Sequence, residues 1–62
     1  MIDKELFARA TVLVKNNPST TINQLSIDMD IGYDVAWDIL DQLEEANLVI
    51  NFGTFYAPIE LN

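Results

Sequence analysis

The chain has 62 residues, no cysteine, no histidine and a formal net charge of −7 at pH 7. A chain of this length forms at most one domain, here residues 1–62, and buries only about 60% of its unfolded surface. Without cysteine and histidine, disulfides, Cys-type zinc sites and nucleophile–histidine pairs are excluded. We therefore expect no enzyme activity, no cofactor and no metal site.

The charge is distributed unevenly along the sequence. The three basic residues, Lys4, Arg9 and Lys15, all lie in the first fifteen positions. Eight of the ten acidic residues follow Asn16, and no basic residue accompanies them. A chain this acidic repels polyanions such as DNA and anionic membranes. The acidity either serves solubility alone or forms a binding surface, and composition leaves both interpretations open.

Membrane insertion and export are not expected from this sequence. No apolar run is long enough to span a bilayer. The N-terminal residues MIDKELFARA lack the apolar segment of a signal peptide. We expect a cytoplasmic protein.

The N-terminal segment predicts a helix over residues 2–16. Asp3 suits its N-cap or first turn, and Pro18 prevents the helix from continuing. The apolar residues recur three and four positions apart, which places them on one helical face. These residues are Leu6, Phe7, Ala10, Leu13 and Val14.

A brief strand and a second helix are predicted next. The β-branched segment 20–22 suits a short strand. Asn23 suits the N-cap of a helix that runs to about Asp30. Thr21 with Gln24 forms a competing capping box, which would start this helix two residues earlier. The side chains expected to face inward are Ile22, Leu25 and Met29.

Residues 31–49 form the most strongly amphipathic segment. Gly32 suits the N-cap of a third helix that ends at Asn47, a residue that tolerates the left-handed conformation. The apolar positions of this helix share one face and are Val35, Ala36, Ile39, Leu40, Leu43 and Ala46. The other face carries only acidic charges, from Asp34, Asp38, Asp41, Glu44 and Glu45.

The C-terminal part predicts a β-hairpin. Residues 48–52 form one strand, residues 53–54 the turn, and residues 55–57 the returning strand, which Pro58 stops. A lone hairpin is marginally stable, so it must pack on the helices, with residues 20–22 as a third strand. One or two aromatic side chains should face the core, from among Phe52, Phe55 and Tyr56.

This order of elements predicts a small α+β winged helix. The second and third helices form a helix-turn-helix, and the C-terminal hairpin is the wing. Residues 21–49 also resemble the gamma domain of FtsK-type DNA translocases, a winged helix that reads a short DNA sequence. The matching positions are Ile31, Gly32, Tyr33, Ala36, Ile39, Gln42, Glu44, Ala46 and Val49, and the first helix fits more loosely.

The resemblance fails at the positions with which that family contacts DNA. Lysine or arginine is typical of the family where this chain has Asp28 and Asp30. Its recognition helix starts with asparagine and arginine where Asp34 and Val35 stand, and a further arginine is usual at Asp38. Aspartate cannot neutralise phosphate. The resemblance thus implies the fold, and no DNA-binding residue is carried over.

We expect the acidic side of the third helix to bind a protein with a basic surface. Trp37 and Tyr33 are the predicted anchors, since aromatic residues within a charged rim are typical of protein interfaces. Trp37 completing the core is the competing interpretation. The predicted partner-binding residues are Asp28, Asp30, Tyr33, Asp34, Trp37, Asp38, Asp41 and Glu45.

One specific form of this function is a DNA mimic of phage or mobile-element type, which inhibits a DNA-binding protein. We expect no direct binding to nucleic acid or membranes. The sequence leaves open whether the protein forms a homodimer. One alternative is a winged-helix transcriptional or replication regulator that binds DNA through Lys4, Arg9, Lys15 and the wing. Another is an assembly adaptor whose acidity is incidental.

A calcium site is also rejected. The segment 28–39 has the length of a calcium-binding loop, with Asp28 and Asp30 at its start. Gly32, however, occupies the third ligand position, and Ile39 stands where the bidentate glutamate belongs.

Overall fold

Three helices precede a two-stranded antiparallel sheet in the computed structural model, which describes residues 3–59. The elements are α1 (Lys4–Lys15), α2 (Ile22–Met29), α3 (Tyr33–Glu45), β1 (Val49–Asn51) and β2 (Tyr56–Pro58). The fold is therefore α+β, as predicted. Within residues 3–59, the helices are too short and too polar for any of them to cross a membrane.

α1 begins and ends where its sequence predicts, within two residues. Asp3 is the N-cap, and its carboxylate accepts a hydrogen bond from the Glu5 N–H at 2.9 Å. At the other end, the Asn17 side chain donates to the Leu13 carbonyl at 2.6 Å. Residue 2, which the prediction placed in this helix, lies outside the described residues. The predicted apolar stripe is confirmed, with Ala10 and Val14 buried and Leu6, Phe7 and Leu13 packed against the core.

α2 follows the capping-box prediction. The Thr21 hydroxyl accepts a hydrogen bond from the Gln24 N–H at 3.0 Å, so the predicted cap at Asn23 is wrong. The predicted strand over residues 20–22 is reduced to one isolated bridge between Thr20 and Tyr56. The reason is that Ile22 already belongs to the helix and Thr21 caps it. As predicted, Leu25 and Met29 are buried and Ile22 packs against them.

Both α2 and α3 end in a left-handed residue that is not glycine. Asp30 has φ 54° and Asn47 has φ 60°. The next N–H donates back across the helix end in each case, from Ile31 to the Ser26 carbonyl at 3.0 Å and from Leu48 to the Leu43 carbonyl at 2.9 Å. This is the Schellman pattern, which satisfies carbonyls that the helix leaves unpaired. The prediction of a left-handed Asn47 is confirmed, although the C-cap itself is Ala46.

Replacing Asp30 by glycine is expected to raise the free energy of unfolding by about 0.5–1 kcal/mol. Glycine adopts positive φ without the steric cost that Asp30 carries, and the substitution removes an acid from the negative end of α2. Thermal unfolding measures the change, as a rise in Tm of about 2–8 °C. Asp28→Gly is the matched control: it removes the same charge but lies inside α2, and should lower Tm. A lower Tm for Asp30→Gly would contradict the prediction.

α3 supplies the centre of the core. Ala36, Ile39, Leu40 and Leu43 are fully buried, and α1, α2 and β1 all pack against this helix. Val35 is only half-buried. Ala46, predicted to share the apolar face, is instead exposed because it is the C-cap beyond the last helical turn.

The hairpin pairs β1 with β2 in the register Val49↔Pro58, Ile50↔Ala57 and Asn51↔Tyr56. Pro58 thus belongs to the strand that it was predicted to stop. The Ile59 N–H donates to the Leu48 carbonyl at 3.0 Å. Because inter-strand bonds alternate along an antiparallel pair, the Pro58 nitrogen points away from β1 and no bond is lost.

Candidate acidic binding face on α3

Four carboxylates lie on the side of α3 opposite the core. Asp34, Asp38, Asp41 and Glu45 are spaced four, three and four positions apart, and we call them the acidic row. Their spacing places them on one stripe about 16 Å long, at 1.5 Å per residue. All four are exposed, whereas the buried residues of α3 occupy the opposite side.

The other two predicted acids lie outside α3. Asp28 is in the last turn of α2, where it accepts a hydrogen bond from the Gln24 side chain at 2.8 Å. Asp30 is the left-handed cap of that helix. Both are exposed. The predicted acidic site therefore comes from two helices, and the acidic row is its continuous part.

A shallow depression of about 330 Å³ runs along the acidic row. Its lining comes from α3 alone, from Asp34, Trp37, Asp38 and Asp41. The depression is open to solvent and is a gap between neighbouring side chains of one helix. Such a surface suits contact with another macromolecule, whereas small-molecule sites enclose most of their ligand.

Trp37 does not complete the core. Its side chain is 56% exposed and that of Tyr33 is 54% exposed. At about 100° per residue, Tyr33 and Trp37 lie on the flank of α3 between the acidic row and the buried face. The interpretation of Trp37 as a core residue is therefore wrong, and its role as an anchor stays a prediction.

The hairpin lies beside this same flank of α3. Tyr56 of β2 is buried, and its burial raises the pKa of the hydroxyl above the usual value, with further contributions from Glu44, Asp41 and Tyr33. Glu44 was not among the predicted site residues. The sequence does carry a signal for Glu44: it lies seven residues after Trp37, and this helical spacing places both residues on the same flank of α3.

The acidic face makes α3 less stable than a mixed face would. Asp34 and Asp38 are four apart, as are Asp41 and Glu45, and each like-charge pair costs about 0.2–0.5 kcal/mol. Asp34 lies in the first turn, where the helix dipole favours an acid, but the last turn contains no basic residue. A partner that supplies positive charge would relieve this repulsion.

The Asp34 carboxylate also lies close to the N-cap. A Cβ built on Gly32 would approach its Oδ1 to 2.8 Å. Gly32 provides no side-chain cap, so the start of α3 is open to this carboxylate. Asp34 thus belongs both to the helix start and to the acidic row.

Comparison with family models, curated proteins and solved structures finds no match to this chain. Burial, spacing and charge are therefore the observations that bear on the function of the acidic face. The basic residues offer no comparable surface there, because Lys4, Arg9 and Lys15 all lie on α1.

Trp37→Ala is expected to change the free energy of unfolding by less than about 1 kcal/mol. A side chain that is more than half exposed in the folded protein loses little burial on truncation, whereas a core Trp→Ala change costs about 3–5 kcal/mol. Urea unfolding followed by far-UV circular dichroism measures the change, since Trp37 is the only tryptophan and its fluorescence is lost. A decrease in the free energy of unfolding of more than about 3 kcal/mol would show that Trp37 is a core residue.

Proposed function

We propose that this chain is a non-catalytic winged-helix module that binds the basic surface of a partner protein through α3. The observation that carries the proposal is the acidic row beside two exposed aromatic side chains, Tyr33 and Trp37. Aromatic anchors within a charged rim are characteristic of protein interfaces. Opposite charge on the partner would set its orientation and speed its association.

The order and contacts of the elements support a winged helix. α2 and α3 pack on each other across a short turn, and the hairpin follows α3 as a wing would. The bridge from Thr20 to Tyr56 stands at the place of a third strand. The resemblance of residues 21–49 to the gamma domain of FtsK-type translocases agrees with this assignment, in which α3 is the recognition helix.

Charge favours a protein partner over DNA. A recognition helix that reads DNA needs donors toward base edges and positive charge toward phosphates. The exposed side of α3 offers carboxylates instead. A DNA-binding regulator built on this fold would depend on Lys4, Arg9 and Lys15, with Asp3 and Glu5 beside them on the same helix.

DNA mimicry is a specific form of this function. Successive carboxylates of the acidic row are about 4.5–6 Å apart along the helix axis. They lie on the helix that a winged-helix DNA reader places against the duplex. A DNA-binding protein whose cleft accepts this row would be inhibited, because the carboxylates occupy the positions of phosphates.

A gel shift separates the protein-binding proposal from the DNA-binding alternative. We expect no retardation of a random-sequence duplex at about 150 mM salt, since an acidic face cannot release counterions from DNA. A salt-sensitive shift that Arg9→Glu abolishes would overturn the proposal and assign DNA binding to α1.

Capture followed by displacement tests the partner class. The tagged chain is immobilised, exposed to a lysate of its source cells and then challenged with duplex DNA. Release of a stoichiometric, basic, DNA-binding protein by the duplex supports mimicry. A basic protein that the duplex does not release supports partner binding without mimicry, and capture of no basic protein contradicts the proposal.

A further inference from the structure

The outward side of the hairpin is entirely apolar. The strand register places Ile50 opposite Ala57, and the Phe52 N–H donates to the Phe55 carbonyl at 2.8 Å. Because alternate strand residues face the same side, these four residues share one side of the hairpin, which we call the hairpin patch. Val49 and Tyr56, on the other side, are buried in the core.

An apolar outward side is unusual for a hairpin that packs on a core. An antiparallel sheet with one side on the core normally presents polar residues on the other side. Here Ile50, Phe52 and Phe55 are 45%, 55% and 38% exposed. The two phenyl rings stack on each other, with centroids 5.0 Å apart and planes 14° apart. Stacking covers one side of each ring, and contiguous apolar surface of this kind marks interaction sites.

The hairpin patch lies in an uncharged part of an acidic chain. The stretch 46–59 contains no charged residue, although the whole chain has a net charge of −7. Two copies of such a chain repel each other, and the repulsion is least where they approach through their uncharged parts. A basic partner, by contrast, gains most from the acidic row on α3.

We propose that the hairpin patch packs against the same patch of a second copy of this chain. Identical patches facing across a two-fold axis form the commonest kind of homodimer. The patch is small, so this dimer is a weak one, below the size of a standard stable interface. The proposal stands apart from the function assigned to α3, and the dimer would present two acidic rows to a partner.

Sedimentation equilibrium of the full chain tests the dimer at concentrations from about 10 µM to about 1 mM. The weight-average mass should rise from the monomer value of 7.0 kDa toward twice that value. Salt should strengthen the dimer, since screening weakens the repulsion between two acidic chains while the apolar contact remains. Binding of a basic partner to α3 would show the opposite salt dependence.

Two patch variants and one control variant assign the contact to the patch. Phe52→Ser with Phe55→Ser should weaken dimerisation at least about tenfold. Trp37→Ser removes another exposed aromatic side chain and should leave it unchanged. Ile50→Lys places a charge in the patch without removing the phenyl stack, and should also give a monomer. Circular dichroism confirms that each variant is folded. A wild-type chain that stays monomeric throughout, or a dimer that only Trp37→Ser disrupts, would overturn the proposal.

Discussion

Ile39→Ala is expected to lower the free energy of unfolding by about 2–5 kcal/mol. Ile39 is fully buried at the centre of α3, the helix against which α1, α2 and β1 pack. Truncation removes its burial and leaves a cavity that rigid neighbours fill only in part. At about 0.05–0.15 kcal/mol per residue, a domain of this size has only a few kcal/mol of stability. The variant should therefore be partly unfolded at room temperature.

Ile27→Ala is the matched control for this substitution. Ile27 undergoes the same chemical change on a neighbouring helix, but its side chain is 64% exposed. Its effect should stay within about 0.5 kcal/mol. Urea unfolding followed by circular dichroism compares the two variants, with the transition slope unchanged between them. Equal losses would show that α3 is not the centre of the core.

The helices were predictable from sequence because their ends carry local signals. Asp3 and Gly32 precede the first residues of α1 and α3, and Asn47 takes the left-handed conformation just after α3. Each acts within one turn of a helix end, so its role follows from short-range chemistry. The start of α2 was ambiguous because Thr21 and Asn23 are both competent caps. The structure selects Thr21, whose hydroxyl accepts the Gln24 N–H, and Ile22 then packs against the core from the first turn of α2.

The errors in the hairpin region have a related cause. Thr20 was predicted to begin a strand from its β-branched side chain, a weak preference that depends on context. In the structure a single pair of hydrogen bonds to Tyr56 is all that forms, since the chain turns into α2 at once. Pro58 was predicted to end β2, yet the alternation of the ladder accommodates it.

The acidic row was predictable because helical periodicity converts sequence spacing directly into position on a face. The exposure of Trp37 was not predictable, because its helical position lies at the boundary between the core side and the solvent side of α3. The prediction that one or two of the hairpin aromatic side chains face the core is confirmed, with Tyr56 as the buried one. Alternation puts Phe52 and Phe55 on one side, but only the strand register shows that Tyr56 takes the core side.

Asp38→Lys is expected to raise the free energy of unfolding by about 0.5–1 kcal/mol. The substitution replaces the repulsion between Asp34 and Asp38 by a favourable pair four residues apart, and adds a second favourable pair with Asp41. The acid precedes the base in the first pair, which is the better orientation on a helix. Thermal unfolding should show a Tm higher by about 2–8 °C. A lower Tm would mean that Asp38 has a stabilising contact in the free protein.

The same Asp38→Lys substitution should weaken binding of a basic partner by about 100-fold or more, since a like charge at an interface costs several kcal/mol. Glu5→Lys is the matched control: it also replaces an exposed helical acid by lysine, but on α1, and should retain most of the affinity. Fluorescence of the single tryptophan, Trp37, reports binding beside the altered position. Opposite effects on stability and affinity would mean that the acidic row is maintained for recognition at a cost to the fold. Equal affinity for the wild type and Asp38→Lys would assign the acidity to solubility alone.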